Sequence, residues 1–184
     1  MPSPRVLCVL VLLALIVSRA VELHVSARHE RALRARGAIE FGRRHFSLFL
    51  ALHTAFPLAL WWEVSRGGAT PFASWPVFAV ATVAAQGLRV WSMQALGEYW
   101  TTRILVVPGK CAMPAGPYRW LSDPSYTAVT LELLALPLAF GAWRTALAAS
   151  LVNAMALAMR IPAERRAIRG ATSHVALVPP RRSG

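Results

Sequence analysis

Two stretches of this 184-residue chain concentrate side chains able to do chemistry. The first is Gly116-Pro117-Tyr118-Arg119-Trp120-Leu121-Ser122-Asp123-Pro124-Ser125-Tyr126, and the second is Arg160-Ile161-Pro162-Ala163-Glu164. Tyr118, Trp120 and Tyr126 offer ring faces to a cation. Arg119 or Arg160 can hold a carboxylate through a bidentate pair. Glu164 can accept hydrogen bonds from an amino or hydroxyl group. Asp123 is placed as an N-cap, with Pro124 at the first helical position, and the amides of such a helix start are free to donate. The residues alone leave two readings open: a binding site, or a capped return of the chain into an apolar helix.

Other candidates are isolated. Glu132 lies about two turns into the apolar run that follows, where an acidic group is costly and often functional. It is expected to pair with Arg89 or Arg160 if it is only structural. His53 reads more readily as a packed helix histidine than as a ligand. His24, His29, His45 and His174 fall outside the apolar runs and form no HExxH pairing, so no metal site is expected. Cys8 and Cys111 make neither a disulfide framework nor a CxxC. There is no GxGxxG, P-loop or GxSxG, and no βαβ patterning, which excludes a soluble doubly wound nucleotide-binding fold.

The elements that must position these residues are apolar helices. The chain is 56% hydrophobic and 15% charged, with a mean hydropathy of +0.46. The pattern predicts an all-α integral membrane protein, a single domain over 1–184, with about five transmembrane helices at 4–23, 45–64, 73–96, 125–140 and 143–160. The first run is expected to be a membrane helix rather than a signal peptide: its charged start is weak, and Arg19 and Glu22 follow where a small-residue cleavage site would stand. The basic stretch 19–44 is expected to be a solvated arm, broken at Gly37 and Gly42, although Val21, Val25 and Leu33 would allow continued helix. Trp61 and Trp62 suit a membrane interface. Residues 126–159 are too many for one span, so a hairpin turning near Gly141 is expected. It would bring the two chemical stretches to one face. The segment 97–125 is predicted to lie on the cytoplasmic side, with a basic tail over 161–184 that frays at its terminus.

The net charge is +12. Its basic residues sit between apolar runs rather than on a soluble face, which points to anionic lipid and away from nucleic acid. Sixteen of the twenty Lys and Arg fall on the first and third connections and the tail, and three (Arg5, Arg66, Arg144) on the other side. The expected orientation is N-terminus outside and C-terminus in the cytoplasm.

The chain resembles the isoprenylcysteine carboxyl methyltransferase family, in its small bacterial form. That family carries Gly-Pro-Tyr-Arg-x-x-Arg-His-Pro-x-Tyr before its last helix pair and Arg-x-x-x-Glu-Glu after it. Gly116, Pro117, Tyr118, Arg119, Pro124, Tyr126, Arg160 and Glu164 match. Leu96-Gly97, Trp100, Arg103, Val107-Pro108-Gly109, Leu52-His53 and Glu22 also fit the bacterial branch. Three positions depart: Ser122 and Asp123 stand for Arg-His, and Arg165 for the second Glu.

The resemblance implies S-adenosylmethionine as cofactor, held by Gly116, Tyr118, Arg119, Asp123, Pro124, Tyr126 and Glu164, with Arg160, Glu164 and Arg103 catalytic. Tyr118, Trp120 and Tyr126 would face the sulfonium, and Arg119 or Arg160 its carboxylate. It implies a bacterial inner-membrane location and O-methylation of a lipophilic acceptor. That acceptor would be a prenylcysteine-like carboxylate or a long-chain phenol or pyrone. The departures motivate an alternative, a non-catalytic membrane protein that keeps the fold.

Overall fold

The computed structural model describes residues 3–41, 43–67, 71, 73–107 and 115–176, with backbone only at 43–46 and 167–176. Gly42, Pro108, Gly109, Lys110, Cys111 and the tail beyond 176 lie outside the described residues, as do the side chains of His45 and His174. The chain forms α1 (Pro4–Ala35), β1 (Ile39–Phe41), α2 (Arg43–Ser65), α3 (Trp75–Leu96), β2 (Ile104–Val106), α4 (Pro124–Ala139) and α5 (Trp143–Ala176). Short 3-10 turns occupy Gly97–Tyr99 and Gly116–Arg119. α3 packs on α4, α4 on α5, α5 on α2, and α2 on α1. The apolar core joins Leu12 and Leu15 of α1, Phe56 and Leu60 of α2, Leu133 and Leu136 of α4, and Ala149 of α5.

The predicted all-α membrane architecture holds, with five α-helices among the described residues. Among the described residues three helices are long and apolar enough to cross a membrane: Pro4–Ala35, Ser47–Ser65 and Trp143–Arg166. α4 has 16 residues, about 24 Å of helix at 1.5 Å per residue, short of the ~30 Å hydrocarbon core. It is buried on nearly every side, from Ala128 and Val129 through Glu132 and Leu133 to Leu136, as an all-round apolar helix must be.

Two boundaries differ from expectation. The basic stretch after Arg19 is not a solvated arm: α1 runs unbroken to Ala35. Glu22, Ser26 and Leu33 are buried along one stripe of it, so packing rather than apolarity sustains the helix. α1 ends where Gly37 takes φ +81°, with Ala38 N–H donating to Leu33 C=O and Gly37 N–H to Arg34 C=O. These are the paired bonds of a Schellman cap, which needs the left-handed residue. The last helix also runs past its expected end at 160, because α5 continues through Pro162 to Ala176, while the terminus expected to fray lies outside the described residues. A short antiparallel ribbon was also not expected: β1 pairs β2 with Glu40 opposite Leu105.

The predicted hairpin is present, and a second Schellman cap makes its turn. Ala142 N–H donates to Pro137 C=O and Gly141 N–H to Leu138 C=O, with Gly141 at φ +76°. From there α5 presents a seam of buried small residues, Ala142, Ala146, Ala149, Asn153 and Ala156, that ends on Arg160. Small side chains let the helices approach closely. Their spacing of three and four keeps one face inward, so Arg160 arrives pointing into the bundle.

The start of α5 is held by a buried carboxylate. Glu63, near the end of α2, accepts from the backbone N–H of Arg144 (3.2 Å) and Thr145 (2.8 Å) and from the Thr145 hydroxyl (2.6 Å). A negative group at a helix N-terminus satisfies orphan donors and opposes the macrodipole. Glu63→Ala should therefore lower stability by about 2–3 kcal/mol, and Glu63→Gln by less. Thermal unfolding in detergent would measure both, and equal losses would refute the charge-based cap.

Candidate functional site

A cavity of about 280 Å³ lies at the end of the bundle opposite the α4–α5 turn, and all five helices line it. Its near end is a hydrogen-bonded cluster. Arg160 Nε donates to the Tyr126 hydroxyl at 2.7 Å, and that hydroxyl donates in turn to Glu164 Oε2. Arg160 Nη2 donates to Thr102 C=O at 2.7 Å. The guanidinium also lies over the rings of Phe49 (5.0 Å) and Tyr126 (5.6 Å). Bonds and stacking together leave Arg160 one orientation. Tyr118 bonds Ser125 Oγ at 3.2 Å. Burial pushes its phenol up, the Ser125 bond partly offsets this, and Glu164 adds to the rise, so the ring stays neutral.

The wall formed by 100–106 is fixed from α1. Thr102 N–H donates to Ser26 Oγ at 2.9 Å, and His29 Nδ1 bonds Trp100 C=O at 2.8 Å. Arg103 lines the cavity but pairs with Glu30 (3.2 Å) and Glu40 (2.7 Å). Because Arg34 and Arg103 both bond it, the Glu40 carboxyl is held down to about 2.

Four charges meet at the deep end, with Arg19, Glu22 and Arg89 lining the cavity and Glu132 behind Arg19. Glu22 accepts from Arg19 (2.6 Å) and, through both oxygens, from Arg89 (2.7 and 2.5 Å). Glu132 accepts from Arg19 Nη2 (2.5 Å) and Gln86 Nε2 (2.6 Å). The expected partners of Glu132 are thus corrected: Arg19 takes the place of Arg89 or Arg160, because Arg89 is committed to Glu22. His53 lines the same cavity, with Nδ1 bonded to Phe49 C=O at 2.8 Å.

Of the residues expected at a site, Tyr118, Asp123, Tyr126, Arg160, Glu164, Arg103 and Trp100 line the cavity. Gly116, Arg119 and Pro124 do not. Gly116 has φ +53°, and a Cβ there would sit 2.9 Å from Ala95 and from the Trp91 ring nitrogen. Its place is a close approach to α3, which only glycine permits. Arg119 is exposed, and Trp120 is 71% exposed, set against Trp91 with ring centroids 5.8 Å apart. Asp123 occupies the N-cap position of α4, but its side chain makes no capping bond. Its carbonyl instead accepts from Tyr126 and Thr127 N–H. Of the three departures from the motif, Ser122 and Arg165 are exposed and only Asp123 faces the cavity. Sequence reasoning missed Arg19 and Thr102. Arg19 carried a signal, since Arg and Glu three apart at the end of an apolar run can pair. Thr102 acts through its carbonyl and carried none.

The fold and this polar-ended cavity define an all-α membrane protein whose site lies between helices. The profile of the isoprenylcysteine carboxyl methyltransferase (ICMT) family matches residues 77–169, and the chain belongs to that family. It is 39% identical over 159 residues to the uncharacterized protein YpbQ of Bacillus subtilis (strain 168), covering 86% of this chain and 95% of that one. It is 28% identical over 151 residues to an uncharacterized protein of Haemophilus influenzae, covering 82% and 88%. No solved structure matches.

Glu40 makes the ribbon acid-sensitive. Its folded pKa of about 2 lies below the ordinary 4.5, so its contribution is complete above pH 4.5 and is lost as pH falls toward 2. Glu40→Gln should flatten the acid limb of stability in that window. An unchanged acid limb in detergent would refute this.

Proposed function

We propose that this chain is an integral-membrane methyltransferase that uses S-adenosylmethionine to O-methylate a lipophilic acceptor, either a prenylcysteine-like carboxylate or a long-chain phenol or pyrone. The observation that carries this reading is the Arg160–Tyr126–Glu164 cluster. It consists of motif residues from both sides of the helical hairpin, and it faces one cavity with apolar side chains.

The side chains fit the cofactor. The rings of Tyr118 and Tyr126 suit a sulfonium. Arg160 uses Nε and Nη2 within the cluster, and its Nη1 suits the aminocarboxylate. Glu164 and Asp123 suit the ammonium or ribose hydroxyls. When bound, S-adenosylmethionine supplies the activated methyl group. The chain's part is to orient it and keep water out, and positioning accounts for most of an in-line displacement. Leu23 of α1 and Leu50 of α2 line the cavity and are 44% and 46% exposed. A lipid tail can therefore pass between α1 and α2.

The proposed orientation places the site end in the cytoplasm. Three of the sixteen basic residues counted for that side, Arg19, Arg103 and Arg160, are cavity side chains. The remaining thirteen still outnumber Arg5, Arg66 and Arg144.

Two experiments test these readings. S-adenosylhomocysteine should raise the thermal unfolding temperature of purified protein, and Glu164→Gln should weaken that binding about 10- to 100-fold. Radiolabelled methyl transfer on membranes, with a long-chain phenol and a prenylcysteine analogue, then tests turnover. Absence of both binding and transfer would favour the non-catalytic alternative. For orientation, cysteines replace Arg66 and Arg166 one at a time, with Cys8 and Cys111 changed to serine. An impermeant reagent on intact cells should label the first and not the second, and the reverse pattern would overturn the orientation.

A further inference from the structure

The deep end of the cavity contains polar atoms that the fold does not use. Arg19 Nε, Arg89 Nη1 and His53 Nε2 are each shut off from solvent without a hydrogen-bond partner. All three residues line the one cavity. Native structures leave few buried polar atoms unpaired, because each costs its lost hydration. Three such atoms on residues that line one cavity point to a ligand.

Their chemistry is mixed. Phe49 C=O can only accept, so His53 Nδ1 carries the ring proton and Nε2 of the neutral ring presents a lone pair. Arg89 from α3, Arg19 from α1 and Glu132 from α4 act on His53, Glu22 of α1 lines the same cavity, and the four charges pair and balance. A protonated imidazole would add an uncompensated charge there. The end therefore offers two N–H donors and one basic acceptor. A carboxylate presents only acceptors and leaves the imidazole lone pair unmet. A hydroxyl gives its proton to the lone pair and its oxygen to the arginines.

We infer that His53, Arg19 and Arg89 form the acceptor subsite, in which His53 Nε2 takes the proton of a phenolic or enolic hydroxyl and the two arginines hold the oxygen. This rests on the methyltransferase reading and assigns it a general base. His53 lies one turn from Phe49, about 6 Å along α2, and the Phe49 ring faces Arg160. The subsite therefore adjoins the end proposed for the cofactor. The hydroxyl proton passes to Nε2 and the oxygen bonds the methyl carbon. The carbon–sulfur bond of the sulfonium donor breaks with its electron pair left on sulfur. The products are a methyl ether and a neutral thioether, and the imidazolium returns its proton to solvent on product release. Glu22 and Glu132 are positioning residues that hold the arginines.

The probe is a 4-nitrophenol carrying a long alkyl chain, whose phenolate absorbs visibly. It is mixed with purified protein in detergent, without cofactor, below the pH at which micelle-bound probe ionises. The protein should develop a saturable phenolate band. His53→Asn keeps a donor to Phe49 C=O but lacks a basic lone pair. It should bind the probe, followed by fluorescence of the cavity-lining Trp100, without the band. His53→Phe serves as a second variant that preserves packing. Both variants should keep the thermal shift with S-adenosylhomocysteine and lose about 10²-fold or more in transfer to a long-chain phenol. A band that persists in both variants, or never forms in the parent, overturns the proposal. So does parent transfer to the prenylcysteine analogue with none to the phenol. Absence of a cofactor shift in the parent instead counts against the methyltransferase reading, which the band does not require.

Discussion

Two arginines and two glutamates must neutralise one another inside an otherwise apolar bundle, and the arrangement of the helices follows from that requirement. Arg19 and Glu22 come from α1, Arg89 from α3 and Glu132 from α4. Removing any one leaves a buried charge uncompensated, a loss of about 3–5 kcal/mol. Turning α3 by one residue would swing Arg89 some 100° away from Glu22. The cluster thus sets the rotation of three helices at once. It also explains why α1 does not stop where its apolar run stops. Arg19 and Glu22 share a face only if the chain stays helical through both, and the helix then continues to Ala35.

That continuation builds the site. Ser26 and His29 bond the backbone of Thr102 and Trp100, while Glu30 and Glu40 hold Arg103. The segment has little secondary structure of its own, so α1 acts as its scaffold. From the other side, the small-residue seam of α5 delivers Arg160 to Thr102 C=O. Side chains from five helices are held in place before any ligand arrives. A reaction governed by positioning requires that preorganisation.

The departures from the family motif carry unequal weight once the fold is known. Ser122 and Arg165 point away from the cavity, so their changed chemistry lies outside it. Asp123 faces in without capping α4, and its carboxylate remains available to a ligand. A histidine there could donate as well as accept, whereas an ionised aspartate only accepts. The difference falls on contacts within the cavity and spares the helix start.

Apolar runs, glycine punctuation and the spacing of Tyr126, Arg160 and Glu164 made the helices, the hairpin and much of the near end legible in the sequence. These are local features, set by side-chain periodicity and by turns that require a left-handed residue, as at Gly37 and Gly141. The ends of α1 and α5 were not legible, because burial against distant segments sustains them beyond their apolar runs. The partner of Glu132 was not legible either, since Arg19 lies 113 residues away in the chain and nothing local favours it over Arg89 or Arg160. Nor could the sequence show that Arg119 and Trp120 turn outward while Arg19 and His53 turn in. Tertiary structure decided those points, because pairing charges and orienting side chains into a shared cavity depend on how helices rotate against one another, which no single segment encodes.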